Sequence, residues 1–328
     1  MKAWRTLRRR VLTPDISQTK MSVRGFHVKD PDARDRLETV GASFIGGYAA
    51  AAEARSAAEA EAALSAMPAA FRGFGYEGAA MGFAMRDALP GGGRHVAELL
   101  RGGGDRHVYM AYVGVGWAMA RLPRWRWSRL HAPDPLLRWL VLDGYGFHQA
   151  YFHTTRYVYL QHREDAFPWP ADGPRAYRAR VIDQGIGRAT WFVAGTDPRR
   201  VVEIFGRFAA DRWPDLYAGA GLAATYAGGA SRAELEWFRD AAGPYAADLA
   251  QGSAFGAGAR VRAGLVVPHN EVATDIFCGR STAAAAAVTD AALVGLAADG
   301  DRPAYEVWRQ RIRSTFVSAR SNQSPLES

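Results

Sequence analysis

Two histidines, an aspartate and two tyrosines fall within eleven residues, Asp143-Gly144-Tyr145-Gly146-Phe147-His148-Gln149-Ala150-Tyr151-Phe152-His153. Those side chains suit metal ligation or proton transfer. A helix turns by about 100° per residue, so His148 and His153, five apart, diverge by roughly 140°. They meet on one ion only if the helix breaks, and Gly144 and Gly146 lie just upstream. Three readings stay open for the pair: metal ligands, an acid/base or substrate-orienting group with His148 first, or histidines satisfied by buried partners. Asp143 opens the segment as a third candidate. No metal is expected.

A second constellation is Asp183-Gln184-Gly185-Ile186-Gly187-Arg188, in which a carboxylate, an amide and a guanidinium flank a pair of glycines. Its structural reading is a buried aspartate–arginine or aspartate–backbone bond tying adjacent repeats, and its functional reading is a polar cavity wall. Glu77 stands in the same relation to Gly73 and Gly75. His269-Asn270-Glu271 with Asp275 places two acids on one helical face, which helix capping explains. No nucleophile elbow, phosphate loop, zinc-protease motif or dinucleotide fingerprint occurs in its proper context.

The elements that must position these residues are announced by glycines. A G-x-G pair recurs at Gly73/Gly75, Gly114/Gly116, Gly144/Gly146, Gly185/Gly187, Gly219/Gly221 and Gly256/Gly258, with 30 to 41 residues between successive pairs. Each pair lies in an apolar, alanine-rich helical pattern, where the missing Cβ lets two backbones approach. The spacing fits two packed helices and their turns. The expectation is an all-α fold of repeated antiparallel helical hairpins, arranged as an α/α solenoid or toroid-like array. Residues 1–30 read as a basic irregular lead-in, 31–316 as one helical-repeat domain with a hinge near 123–135, and 317–328 as a disordered tail. Helices are expected over 31–67, 95–101, 177–194, 216–227, 244–264, 270–278, 281–297 and 303–314. Asp197-Pro198 and Ser231-x-x-Glu234 supply start signals.

Composition narrows the function. Of 328 residues 48% are hydrophobic, with ten Trp, thirteen Tyr and fifteen Phe, enough for a large core. The net charge of +8 comes from arginines scattered among 33 acidic residues. No nucleic-acid motif accompanies them, so no nucleic-acid partner is expected. Lys2, Lys20 and Lys29 are the only lysines, a bias that fits a GC-rich genome. The densest basic run, Arg5 with Arg8, Arg9 and Arg10, suits peripheral contact with an anionic membrane. Cys278 is the single cysteine, which excludes an intrachain disulfide. With no signal-like apolar region and no span-length apolar run, a cytoplasmic location is expected.

Several segments together resemble the UnbL-type enediyne biosynthesis family: Arg72-Gly73-Phe74-Gly75-Tyr76-Glu77-Gly78, Gly114-Val115-Gly116-Trp117-Ala118-Met119-Ala120, and Asp134-Pro135-Leu136-Leu137-Arg138-Trp139-Leu140 leading into the Asp143–His148 stretch. Asp183–Arg188, Asp215–Leu222 and Tyr305–Arg309 extend it over nearly the whole chain. Gln149 stands where relatives carry an acid. The resemblance implies a role beside an iterative enediyne polyketide synthase, in maturing a linear polyene toward the enediyne core. It implies an apolar polyene as ligand, the synthase and other core-cassette proteins as partners, and an unknown cofactor. The resemblance carries over no catalytic residues; from the residues themselves Glu77, Trp117, Tyr145, Tyr151, Asp183, Arg188 and Trp191 are expected to bind substrate, with His148, His153 and Asp143 as catalytic candidates. The alternative is a non-catalytic helical scaffold or chaperone for the synthase.

Overall fold

In a computed structural model, which describes residues 2–170 and 173–321, the chain is all-helical and no strand occurs among these residues. The first part comprises α1 (Lys2–Leu12), α2 (Met21–Arg24), α3 (Pro31–Glu53), α4 (Ala57–Ser65), α5 (Ala69–Asp87), α6 (His95–Arg101), α7 (Val108–Arg121) and α8 (Trp139–Phe152). The second comprises α9 (Arg175–Val193), α10 (Pro198–Phe205), α11 (Trp213–Ala227), α12 (Arg232–Ala241), α13 (Ala246–Ala263), α14 (Pro268–Cys278), α15 (Thr282–Ala291) and α16 (Ala304–Ser321).

Seven of these, α3, α5, α7, α8, α9, α11 and α13, pack side by side in chain order. The middle parts of α5, α7, α8, α9 and α11 are buried nearly all round, α3 keeps an exposed face with Asp32, Arg34, Asp35 and Thr39, and further helices form an outer row over α9, α11 and α13. The outer row includes α10, α12 and α14, whose narrower apolar faces carry residues such as Val201, Phe205, Leu235 and Phe238.

The glycine pairs have a geometric cause. Positions i and i+2 of a helix point about 200° apart, so the two glycines face opposite neighbours. On α8, Gly144 receives the Val113 carbonyl of α7 and Gly146 the Ile182 carbonyl of α9. On α9, Gly185 and Gly187 receive Asp143 O of α8 and Leu216 O of α11. The first pair departs from this pattern, because Gly73 abuts the Tyr226 hydroxyl and Gly75 the Met67 side chain.

The helix starts at Asp197 and Ser231 take the expected form. Asp197 accepts from Arg199 N with Pro198 in the first turn, and Ser231 with Glu234 forms a reciprocal capping box. Four expectations are corrected. The segment 1–30 is not irregular: α1, a 3-10 turn at Ile16–Thr19 and α2 occupy much of it. Its arginines find acceptors at the C-terminal end of α3, where Arg5 Nε donates to Glu53 O (2.8 Å) and Arg8 Nε to Ala52 O (2.6 Å). Helix-end carbonyls lack intrahelical partners, so these bonds hold α1 in place. The expected 31–67 helix is two, since Ser56 caps a fresh start by accepting from Glu59 N. The expected 281–297 helix stops at Ala291. The last helix runs on to Ser321, so 317–321 is helical, and 322–328 lies outside the described residues. Between α7 and α8, the 123–135 connection is pinned by Trp127, whose indole donates to Met119 O and Leu122 O, both at 3.1 Å.

Candidate functional site

The packed helices leave space at their centre. A cavity is walled by Phe44 of α3, Phe74 and Glu77 of α5, Trp117 of α7, Phe147 and Tyr151 of α8, Arg188 of α9 and Tyr226 of α11; its free space is about 790 Å³ with the open mouth included. A neighbouring space, smaller on the same measure, is lined by Val113, Leu140, Asp143, Phe255 and Trp308. Arg188, Leu222 and Tyr226 line both, so they form a waist between the two.

The glycine pairs explain why these side chains face inward. If i and i+2 face the two neighbouring helices, i+3 lies between them on one side and i+1 on the other. The residue after the second glycine is Trp117, Phe147, Arg188 or Leu222, and all four line the first cavity. The residue between the glycines points away. Tyr145 does so, with its hydroxyl accepting from Gln149 Nε2 at 3.0 Å in an outer polar cluster where Tyr157 donates to Glu164 at 2.6 Å.

Three charged groups meet at the waist. Arg188 forms an ion pair with Asp143, both buried, and its guanidinium lies 5.1 Å from the centre of the Phe147 ring. Glu77 is 3% exposed and makes no contact ion pair among the described residues. Burial pushes its carboxyl up, Arg188 opposes that, Asp143 adds to it and the Trp117 indole opposes it; the result is about 7. Asp143 is also raised by burial, against the pull of Arg188. Arg188 stays charged beside Asp143. Glu77 is therefore a carboxyl facing an apolar, aromatic space and poised between its two forms near neutral pH, the property of an acid/base group.

The sequence candidates separate into groups. Glu77, Asp143 and Arg188 are brought together, and Trp117 and Tyr151 line the same cavity. His148 is buried beside it, edge-on to Trp117 with ring centres 5.5 Å apart, and burial lowers it to about 3, so it is neutral across the physiological range. His153 is exposed at the end of α8, its ring centre 6.5 Å from that of His148. Among the described residues, no group of three or more His, Cys, Asp and Glu side chains is placed to hold a metal ion. Trp191 lies apart from the cavity between α9 and the outer row, donating to Gly228 O at 3.0 Å and stacking on Phe238.

Asp183 lies on the outward side of α9. It forms a two-pronged bond with Arg212, Nη2 to Oδ1 at 2.6 Å and Nε to Oδ2 at 3.0 Å, rather than with Arg188. Arg212 also donates to Gln161 O at 2.6 Å. Asp183→Ala leaves that guanidinium buried without its counter-ion and is expected to cost about 3–5 kcal/mol in urea-induced unfolding. A loss under 1 kcal/mol would show that the pair does not tie these elements together. Tyr226, Phe44 and Phe74 were not singled out from the sequence. Tyr226 lies beyond the reach of the glycine rule, and Phe44 and Phe74 sit on the two helices where the pairing is irregular or missing.

The chain belongs to the family described as protein of unknown function (DUF1702), whose family model matches residues 3–316. No curated protein and no solved structure matches it.

Proposed function

We propose that this member of the DUF1702 family holds an extended, apolar, unsaturated small molecule in its central cavity, and that Glu77 exchanges a proton with it there. The observation that carries this reading is the placement of one near-neutral carboxyl against a wall of Phe44, Phe74, Trp117, Phe147 and Tyr151. Flat aromatic faces suit a conjugated chain. A carboxyl that is half protonated can give a proton to an electron-rich double bond and recover one from a neighbouring carbon. The net change is a double-bond shift or a ring closure, which needs neither oxidant nor reductant.

The helix order supports a closed, toroid-like array around that cavity. Arg260 of α13 donates to Ala69 O at 3.2 Å and Ala70 O at 2.9 Å, at the start of α5, so the last packed helix reaches back to the second. The resemblance to UnbL-type proteins makes the nascent polyene of enediyne biosynthesis the first molecule to try. The test mixes purified protein with the synthase-derived linear polyene and follows its visible absorption bands. Loss of the bands is the expected result. Bands that shift and persist, with the polyene recovered chemically unchanged, favour the scaffold or chaperone reading, and bands that neither shift nor decay overturn the proposal.

A further inference from the structure

Three buried donors at the cavity wall are left without acceptors. Trp117 Nε1, Tyr226 OH and Arg188 Nε have no hydrogen-bond partner among the described residues. The residues are 7%, 2% and 5% exposed. Each such group costs roughly 1–3 kcal/mol while unpaired, and native proteins keep few of them. All three residues line the first cavity, and Arg188 and Tyr226 line the second as well.

Their surroundings are arranged for donation. The other arm of Arg188 is taken by Asp143, which fixes the guanidinium plane and leaves Nε unused. The Tyr226 hydroxyl fits only because Gly73 has no Cβ, which would collide with it. Arg260 lies over the Tyr226 ring at 4.0 Å, holding the phenol in position from the opposite side. The Trp117 indole bears on Glu77 without meeting hydrogen-bond geometry. Two donors of the waist, Arg188 Nε and Tyr226 OH, are thus left unpaired in an otherwise apolar space.

We propose that the ligand of this cavity carries an oxygen acceptor, a carbonyl or a carboxylate, seated at the waist where Arg188 and Tyr226 donate to it, with Trp117 on the side of the first cavity. This rests on the reading of the cavity as a binding site and adds the chemical class of what it takes: an unsaturated apolar chain bearing one polar oxygen function. The chain attached to that oxygen function runs into the first, aromatic-walled cavity.

The test uses the full chain and three probes: a conjugated tetraenoic fatty acid, its methyl ester and the matching tetraene hydrocarbon, each titrated by fluorescence. The oxygen-bearing probes are expected to bind about tenfold or more tightly than the hydrocarbon, the equivalent of one good hydrogen bond. Preference for the acid over the ester identifies a carboxylate seat, and equal affinity a carbonyl seat. Tyr226→Phe removes a hydroxyl that no protein group uses, so the fold is retained, which thermal unfolding checks. It is expected to weaken acid binding roughly fivefold more than it changes hydrocarbon binding. Equal affinity for all three probes, or a Tyr226→Phe protein that binds the acid as wild type does, overturns the seat alone. Failure of every probe to bind overturns both the seat and the cavity reading beneath it.

Discussion

Gly116→Ala is expected to destabilise the protein by roughly 3 kcal/mol or more, a large effect for adding one methyl group. A Cβ at this position of α7 would collide with Val141 O and lie 2.8 Å from both Gly144 Cα and Tyr145 N of α8. All three are backbone atoms, so no side chain can rotate away. The only relief is to push α7 off α8, and α8 is itself seated against α9 through Gly146. Dense interiors pass such a displacement on rather than absorb it. Gly206→Ala is the control. Gly206 has φ of −58°, and an added Cβ would meet only Val202 O at 3.5 Å and Glu203 O at 3.6 Å. It is expected to change stability by about 0.5 kcal/mol at most, in either direction. Urea-induced unfolding of both variants makes the comparison. A Gly116→Ala protein within 1 kcal/mol of wild type would mean that the glycine pairs do not set the helix spacing.

The same pairs show how far the sequence is legible. That the glycines mark close helix approaches follows from their type and setting. Which residues face the centre follows only once each helix is seen to lie between two neighbours, which puts i+3 and i+1 on opposite sides and turns Tyr145, expected to bind substrate, away from the cavity. That rule places Trp117, Phe147 and Arg188 inward and Tyr145 outward. Partner choice is not legible in this way. Asp183 and Arg188 are close in sequence, yet each pairs with a residue of another element, Arg212 and Asp143, because they point to opposite sides of α9. His148 and His153 stood out by composition alone. One is buried against Trp117 and the other is exposed, since five residues along a helix put them on different faces. The N-terminal helix was missed for a related reason. Its arginines look solvated in isolation and are ordered by carbonyls of α3, some 45 residues away.

Glu77→Gln separates the chemistry of the cavity from its architecture. In the unfolded chain the Glu77 carboxyl has its ordinary value of 4.5, and in the fold it stands at about 7. Between those values the folded protein keeps a proton that the unfolded chain has lost, so stability falls as pH rises from about 4.5 to about 7 and is level above that. Glutamine has the same shape and no proton to lose. The variant is therefore expected to match wild type near pH 4 and to exceed it at pH 8 by an amount on the order of 3 kcal/mol. The charged groups facing Glu77 are Arg188 and Asp143, both present in the variant, so the difference between the two proteins isolates the one carboxyl. Over the same change, decay of the polyene bands is expected to fall by about 10²–10⁴-fold while the binding shift persists, as removal of a general acid/base predicts. A pH-independent stability difference would mean that folding leaves the Glu77 carboxyl at its unfolded value, and a wild type that gains on the variant as pH rises would mean that Glu77 is ionised and paired in the fold. A Gln variant that still consumes polyene at the wild-type rate would place the proton transfer on another group, however well the cavity binds its ligand.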